Sequence, residues 1–177
     1  RDFPAAIVVH QHLGGDQPAM PPLLAGRSGH RVTWAQDGQV LQSGCVVVCP
    51  PGVDMELLPD GSCCLRKFQG LGVRRFDALL TSMARSYGNR SVAVVLTGSG
   101  EDGAQGTVAL QASGGVVIAQ SPETAAYPSM PAAAVRAGAA LVAPIGEIGR
   151  LLTACVAGEP VPLRAAPKER PRGARAA

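Results

Sequence analysis

Apolar residues cluster along this chain in two ways. Five short stretches are apolar without alternation: residues 5–9, 45–49, 92–96, 116–120 and 140–144. A strand that shows apolar side chains on both faces is one buried on both faces, which is the habit of parallel sheets covered by helices. Between the later stretches the period changes. Residues 76–87, "FDALLTSMARSY", place apolar groups at 76, 79, 80, 83, 84 and 87, which is helical spacing, and Gly88 supplies a C-terminal stop. Further helices are expected over about 103–112, closed by Gly114-Gly115, from Pro131 to Gly138, and over 146–158. A short helix in "LLAGRSGH" is expected to end near Gly26, and "RVTW" at 31–34 reads as a strand. "MELLPDGSCCLRK" reads as a β-hairpin, near 55–66, turning at Asp60-Gly61. Helix and strand alternate through the second half. The expected fold is α/β, a three-layer α/β/α arrangement with a mostly parallel sheet plus that hairpin. In such folds, ligands sit beyond the carboxyl ends of the strands.

Composition sharpens this picture in three places. The apolar share is 46% but aromatics are only 3%, so the core must be aliphatic, and stacking platforms for bases are scarce. No nucleic-acid partner is expected. The formal charge of +3 belongs to the C-terminal end: residues 164–177 hold five cations against Glu169, which leaves 1–163 at −1. That end has nothing to bury, so 161–177 is expected to be a disordered basic tail on a single domain of 1–160. The five cysteines are odd in number and form no C-x-x-C pair, which speaks against a disulfide framework and a zinc site. Neither metal nor cofactor is expected. No apolar run approaches the ~18–20 residues that span a bilayer, so no membrane insertion is expected and the location reads as cytoplasmic.

Polar residues stand where a parallel sheet would use them. His12 follows the first strand; Thr97, Ser99, Glu101 and Asp102 follow the third; Gln120 and Ser121 follow the fourth. An imidazole oriented by a carboxylate is the base half of a nucleophilic triad, and the glycines at 98, 100, 103 and 106 would let backbone amides approach a developing oxyanion. Plainer readings stand beside it. His12 could be a loop histidine, and Asp102 could cap the helix starting near 103. Glu101 reads as a solvated charge, His10 and His30 as structural or exposed, and Cys49 as a buried thiol. "GSGEDG" fails the glycine spacing of a phosphate loop and lacks its lysine. A nucleotide-binding domain is also disfavoured, because no G-x-G-x-x-G follows the first strand.

The order of "VVHQHLGG", "FDALLTSMARSYG", "VAVVLTGSGEDGAQG", "GGVVIAQ" and "SMPAAAVRAG" resembles the catalytic domain of the chemotaxis-type protein-glutamate methylesterases, the CheB family, over roughly residues 3–155. The resemblance implies a Ser–His–Asp triad that hydrolyses γ-glutamyl methyl esters on the cytoplasmic helices of methylated chemoreceptors, with glutamine deamidation in related members. It places the family histidine on His12 and the family aspartate on Asp102, with residues 97–100 lining the site and offering oxyanion donors. It departs at Leu13 and Ser99, where the family has methionine, and above all at the nucleophile. The family serine lies in a G-x-S-x-G-G turn that would precede Arg1; Ser28 and Ser113 are the nearest imitations and fit neither flank. The expectation is a hydrolase whose serine lies outside this sequence, inactive as given; the alternative is a non-catalytic relative that binds receptor helices.

Overall fold

A computed structural model describes residues 3–12, 19–67 and 74–161. Leu13 and the basic end from 162 therefore lie outside the described residues. Among the described residues, eight strands and five α-helices follow one another as β1 (Ile7–Val9), α1 (Met20–Ser28), β2 (Arg31–Trp34), β3 (Cys45–Val48), β4 (Val53–Leu57), β5 (Cys63–Lys67), α2 (Arg75–Tyr87), β6 (Val92–Val95), α3 (Ala104–Ala112), β7 (Val116–Gln120), α4 (Ser129–Arg136), β8 (Leu141–Ala143) and α5 (Ile145–Ala157). Each element expected from the apolar pattern is present, and the differences sit at the ends. β1 is two residues shorter than its apolar run. α1 runs past Gly26 and stops at Gly29, whose φ of 68° and N–H bond to the Ala25 carbonyl close the helix. α4 starts two residues ahead of Pro131, because proline is tolerated in a first helical turn as well as at its first position.

The strands form two parallel ladders rather than one. The first has the order β1-β3-β2, with Val8 opposite Val47 and Val32 opposite Val46. The second has the order β6-β7-β8, with Val94 opposite Ile118 and Ile118 opposite Leu141. β4 and β5 make the antiparallel hairpin, Met55 opposite Leu65, and the Asp60 carboxylate accepts hydrogen bonds from the Ser62 amide (2.9 Å) and hydroxyl (2.7 Å) at its turn.

The central strand β7 explains the unbroken apolar pattern. Val117 and Ala119 face a cluster with Leu80, Val95, Leu110, Met130 and Ala134, while Ile118 faces Leu141, Ile148 and Leu151 on the opposite side. Helices α2, α3 and α4 cover one face of the second sheet and α5 the other, which is the expected three-layer arrangement. A third cluster joins Val47 and Cys49 to Met55, Leu57, Cys63 and Leu79 under the hairpin. α2 belongs to both sides: Leu80 enters the first cluster, Leu79 the third, and Met83 packs against each. Polar groups fasten it further. The buried Ser82 hydroxyl accepts the Leu57 amide at 3.0 Å, and Ser86 and Tyr87 donate to the carbonyls of Leu57 and Leu58 at 2.8 and 3.0 Å. α3 lies close against α2, since a Cβ on Gly106 would stand 2.5 Å from Leu80 Cβ and 3.1 Å from the Asp77 backbone.

Candidate active site

The segments that follow β1 and β6 meet. His12, three residues beyond β1, sets its Nε2 3.4 Å from Oδ2 of Asp102, which stands in the loop between β6 and α3. The imidazole is half exposed and its ring lies against Phe76, centroid to centroid 4.5 Å. Asp102 is largely buried, and its carboxylate accepts two backbone hydrogen bonds, from Phe76 N to Oδ2 (3.2 Å) and from Asp77 N to Oδ1 (3.0 Å). These amides belong to the first turn of α2, where helices carry unsatisfied donors and a partial positive charge. Asp102 therefore caps α2, a helix that precedes it in the chain. The helix that follows it, α3, has Gly103 at its N-cap with φ 94°, and the Asp102 carboxylate does not cap it. The expectation that Asp102 could cap its own helix is corrected in this respect.

The loop carrying Asp102 is braced at its other end as well. Gln120, the buried last residue of β7, accepts the Thr97 amide at 2.8 Å and donates to the Thr124 carbonyl at 2.8 Å. Tyr127 N donates to Thr97 Oγ1 (2.8 Å), and Gly98 N donates to the Tyr127 carbonyl (2.8 Å). Gly100 N donates to Ser129 Oγ at 3.1 Å. Three of the four amides in 97–100 are thus occupied, which removes Thr97, Gly98 and Gly100 as oxyanion donors in this arrangement. Gly98 is closely packed, since a Cβ there would lie 2.9 Å from the Met130 sulfur. Ser99 is exposed. Ser121, buried, spends its amide on the Ala143 carbonyl at 2.8 Å.

The remaining candidates separate cleanly. Glu101 is exposed, with Arg136 Nη2 3.6 Å away. His30 Nδ1 lies 3.3 Å from the Gly44 carbonyl. Ser28 and Ser113 end α1 and α3 ahead of parallel strands β2 and β7, on the rim opposite His12 and Asp102. Cys49 is buried, and burial pushes its thiol up to about 12, the wrong direction for a nucleophile. Among the described residues no group of three or more His, Cys, Asp or Glu side chains could hold a metal ion, and no helix is long and apolar enough to cross a membrane.

His10 reads in the sequence as structural or exposed, and in the structure it stands directly beside the pair. Its ring meets Phe76 edge-on at 4.8 Å and lies 6.4 Å from the His12 ring, and its Nδ1 is buried with no hydrogen-bond partner. Burial, and then the neighbouring His12 and Arg75, lower it to about 4 against an opposing pull from Asp102, so it is neutral at pH 7. Period-two counting from Val8, which packs under the hairpin, would have placed His10 and His12 on the same side. Asp77 was missed as well: it reads as one more polar residue on a helix, and nothing local marks it.

Comparison with known proteins supplies the frame for this geometry. The family model for CheB methylesterase matches residues 1–152. A protein-glutamate methylesterase/protein-glutamine glutaminase of Moorella thermoacetica is 36% identical over 165 residues, covering 89% of this chain and 39% of that protein. The protein-glutamate methylesterase FrzG of Myxococcus xanthus is 35% identical, covering 86% of this chain and 47% of its own length. The crystal structure of the Thermotoga maritima CheB methylesterase catalytic domain superposes with a TM-score of 0.79 at 33% identity, covering 86% of this chain and 84% of that one. The chain spans less than half the length of these two curated relatives and most of the solved catalytic domain.

Proposed function

Since the chain belongs to the CheB methylesterase family, we propose that it forms the acid–base part of a protein-glutamate methylesterase site, with His12 as the base and Asp102 as its orienting carboxylate. The observation that carries the reading is the 3.4 Å approach of His12 Nε2 to a carboxylate already fixed by two helix amides. The substrate class is a γ-glutamyl methyl ester on the cytoplasmic helices of a methylated chemoreceptor, and a cytoplasmic location goes with that partner.

The nucleophile in this proposal is a serine that a longer protein would carry on a segment ahead of Arg1. Among the described residues β1 and β6 are each the outer strand of a parallel ladder, and their carboxyl ends carry the candidate pair. A parallel strand entering between them would deliver the turn that follows it to the same rim. With Asp102 on Nε2, Nδ1 of His12 is left to take the serine proton. Serine Oγ then adds to the ester carbonyl, and the tetrahedral intermediate collapses as the imidazolium returns the proton to departing methanol. Water repeats the sequence on the acyl-enzyme and releases the glutamate side chain and the free serine. Asp102 stabilises the imidazolium formed in each half, and its two amide bonds keep it aimed at the ring.

Methanol release from a methylated receptor, measured with the protein that includes the upstream segment, tests the proposal. Release that depends on His12 and on an upstream serine supports it. Association with receptor helices without release would make the domain a binding module and overturn the hydrolase reading.

A further inference from the structure

The two helices that frame Asp102 are capped by each other's carboxylates. Asp102, just ahead of α3, holds the Phe76 and Asp77 amides of α2. Asp77, in the first turn of α2, is buried and accepts the Gly106 amide in the first turn of α3 at 2.7 Å. Its other oxygen, Oδ2, accepts no hydrogen bond and lies 3.7 Å from Arg74 Nη1. The missing Cβ of Gly106 is what lets the helices come this close, because a methyl group there would meet the Asp77 backbone and Leu80. Four polar groups thus close a ring: the Asp77 amide to Asp102, Asp102 through Gly103 to the start of α3, Gly106 N–H to the Asp77 carboxylate, and Asp77 back to its own amide.

We infer that Asp77 is a positioning residue for the His12–Asp102 pair, fixing the start of α3 against α2 so that the Asp102 carboxylate faces His12. The inference deepens the methylesterase reading and rests on it for its catalytic meaning. The register of α3 on α2 sets where Asp102 stands. Asp102 is separated from the Gly106 amide by one turn of chain, and Phe76, whose amide it binds, also carries the ring on which His12 rests. Loosening the Asp77–Gly106 bond frees α3 to slide on α2. A slide too small to unfold the domain still changes the distance from Asp102 to His12, because α2 holds the ring surface while α3 leads the carboxylate. A cap serving stability alone would leave the His12 environment untouched in the folded molecule.

The test compares Asp77→Ala, which removes the acceptor, with Asp77→Asn, which keeps an oxygen for the Gly106 amide. The first readout is the set of His12 ring resonances in NMR spectra of the present chain, with Asp102→Asn as the reference for a disturbed pair. Asp77→Ala is expected to move these resonances in the direction that Asp102→Asn does, and Asp77→Asn to leave them near their original positions. The second readout is methanol release by the longer protein, where Asp77→Ala is expected to lower kcat by roughly 10- to 100-fold with KM unchanged. If Asp77→Ala does not fold, Asp77→Glu keeps the charge but moves the acceptor by one methylene, and the same displacement of His12 is expected. Folded Asp77→Ala or Asp77→Glu protein with His12 resonances at their original positions overturns the inference. A longer protein that shows no esterase activity in its unaltered form overturns the methylesterase reading instead, and the resonances still decide the role of Asp77.

Discussion

Asp102 is 13% exposed, bonded to two backbone amides, and carried on a loop that Gln120, Tyr127 and Ser129 brace from behind. His12, 3.4 Å away, is 51% exposed and held by that carboxylate and by the face of Phe76. One partner is part of the scaffold, and the other rests on it. The contrast suits the proposed chemistry. An orienting carboxylate works by staying put, and its preorganisation costs nothing at the moment of reaction. The imidazole must exchange protons with a nucleophile, a leaving group and water, which requires an open side.

Removing the looser partner should cost chemistry and nothing else. His12→Ala is expected to lower methanol release by the longer protein by ~10³-fold or more, while the unfolding free energy read from its denaturant midpoint stays within about 0.5 kcal/mol of the original. A midpoint that fell along with activity would show that His12 is structural after all. The braced side should behave in the opposite way. Gly106→Ala, placed where Cβ would press on Leu80 and the Asp77 backbone, is expected to destabilise the domain by about 1–3 kcal/mol in chemical denaturation.

Between the two sides lies His10, and pH separates its contribution. Its folded value of about 4 lies below the ordinary 6.5, so the unfolded chain binds the extra proton first. The stability this group allows is complete above about pH 6.5 and falls as pH drops toward 4, by about 2 kcal/mol at pH 5. His10→Phe should flatten that part of the stability profile between pH 7 and 5, read by urea unfolding at each pH. A variant profile parallel to the original would remove His10 as the cause. Among the losses of stability, the smallest is expected at the carboxylate itself. Asp102→Ala strips the cap from α2 and should cost about 1–2 kcal/mol of stability in addition to its effect on activity. Equal stability losses at positions 12 and 102 would erase the contrast.

The layers of this fold were readable because burial on both faces leaves a local mark. Val116 to Ala119 and Cys45 to Val48 are apolar at every position, and no alternating strand looks the same. The pairing of His12 with Asp102 was readable through the family resemblance and the rule that sites gather at strand ends. What stayed hidden depends on contacts between distant segments. The bond from Asp102 to α2 spans 25 and 26 residues and Asp77 to Gly106 spans 29, and an aspartate before a helix carries the same local signal whichever helix it caps. The division of the strands into two ladders was equally invisible, because an edge strand and an inner strand of this kind share one composition. The occupied amides at Thr97, Gly98 and Gly100 show the same limit: glycine marks where backbone can approach a ligand, and here Gln120, Tyr127 and Ser129 have taken the place.

α2 reaches the cluster beneath β3 through Leu79 and the cluster beneath β6 through Leu80, with Met83 touching both. It is in effect an axle between two plates. A roll of a few degrees about its long axis would shift one plate's rim against the other's and so open or close the separation between an imidazole and a carboxylate.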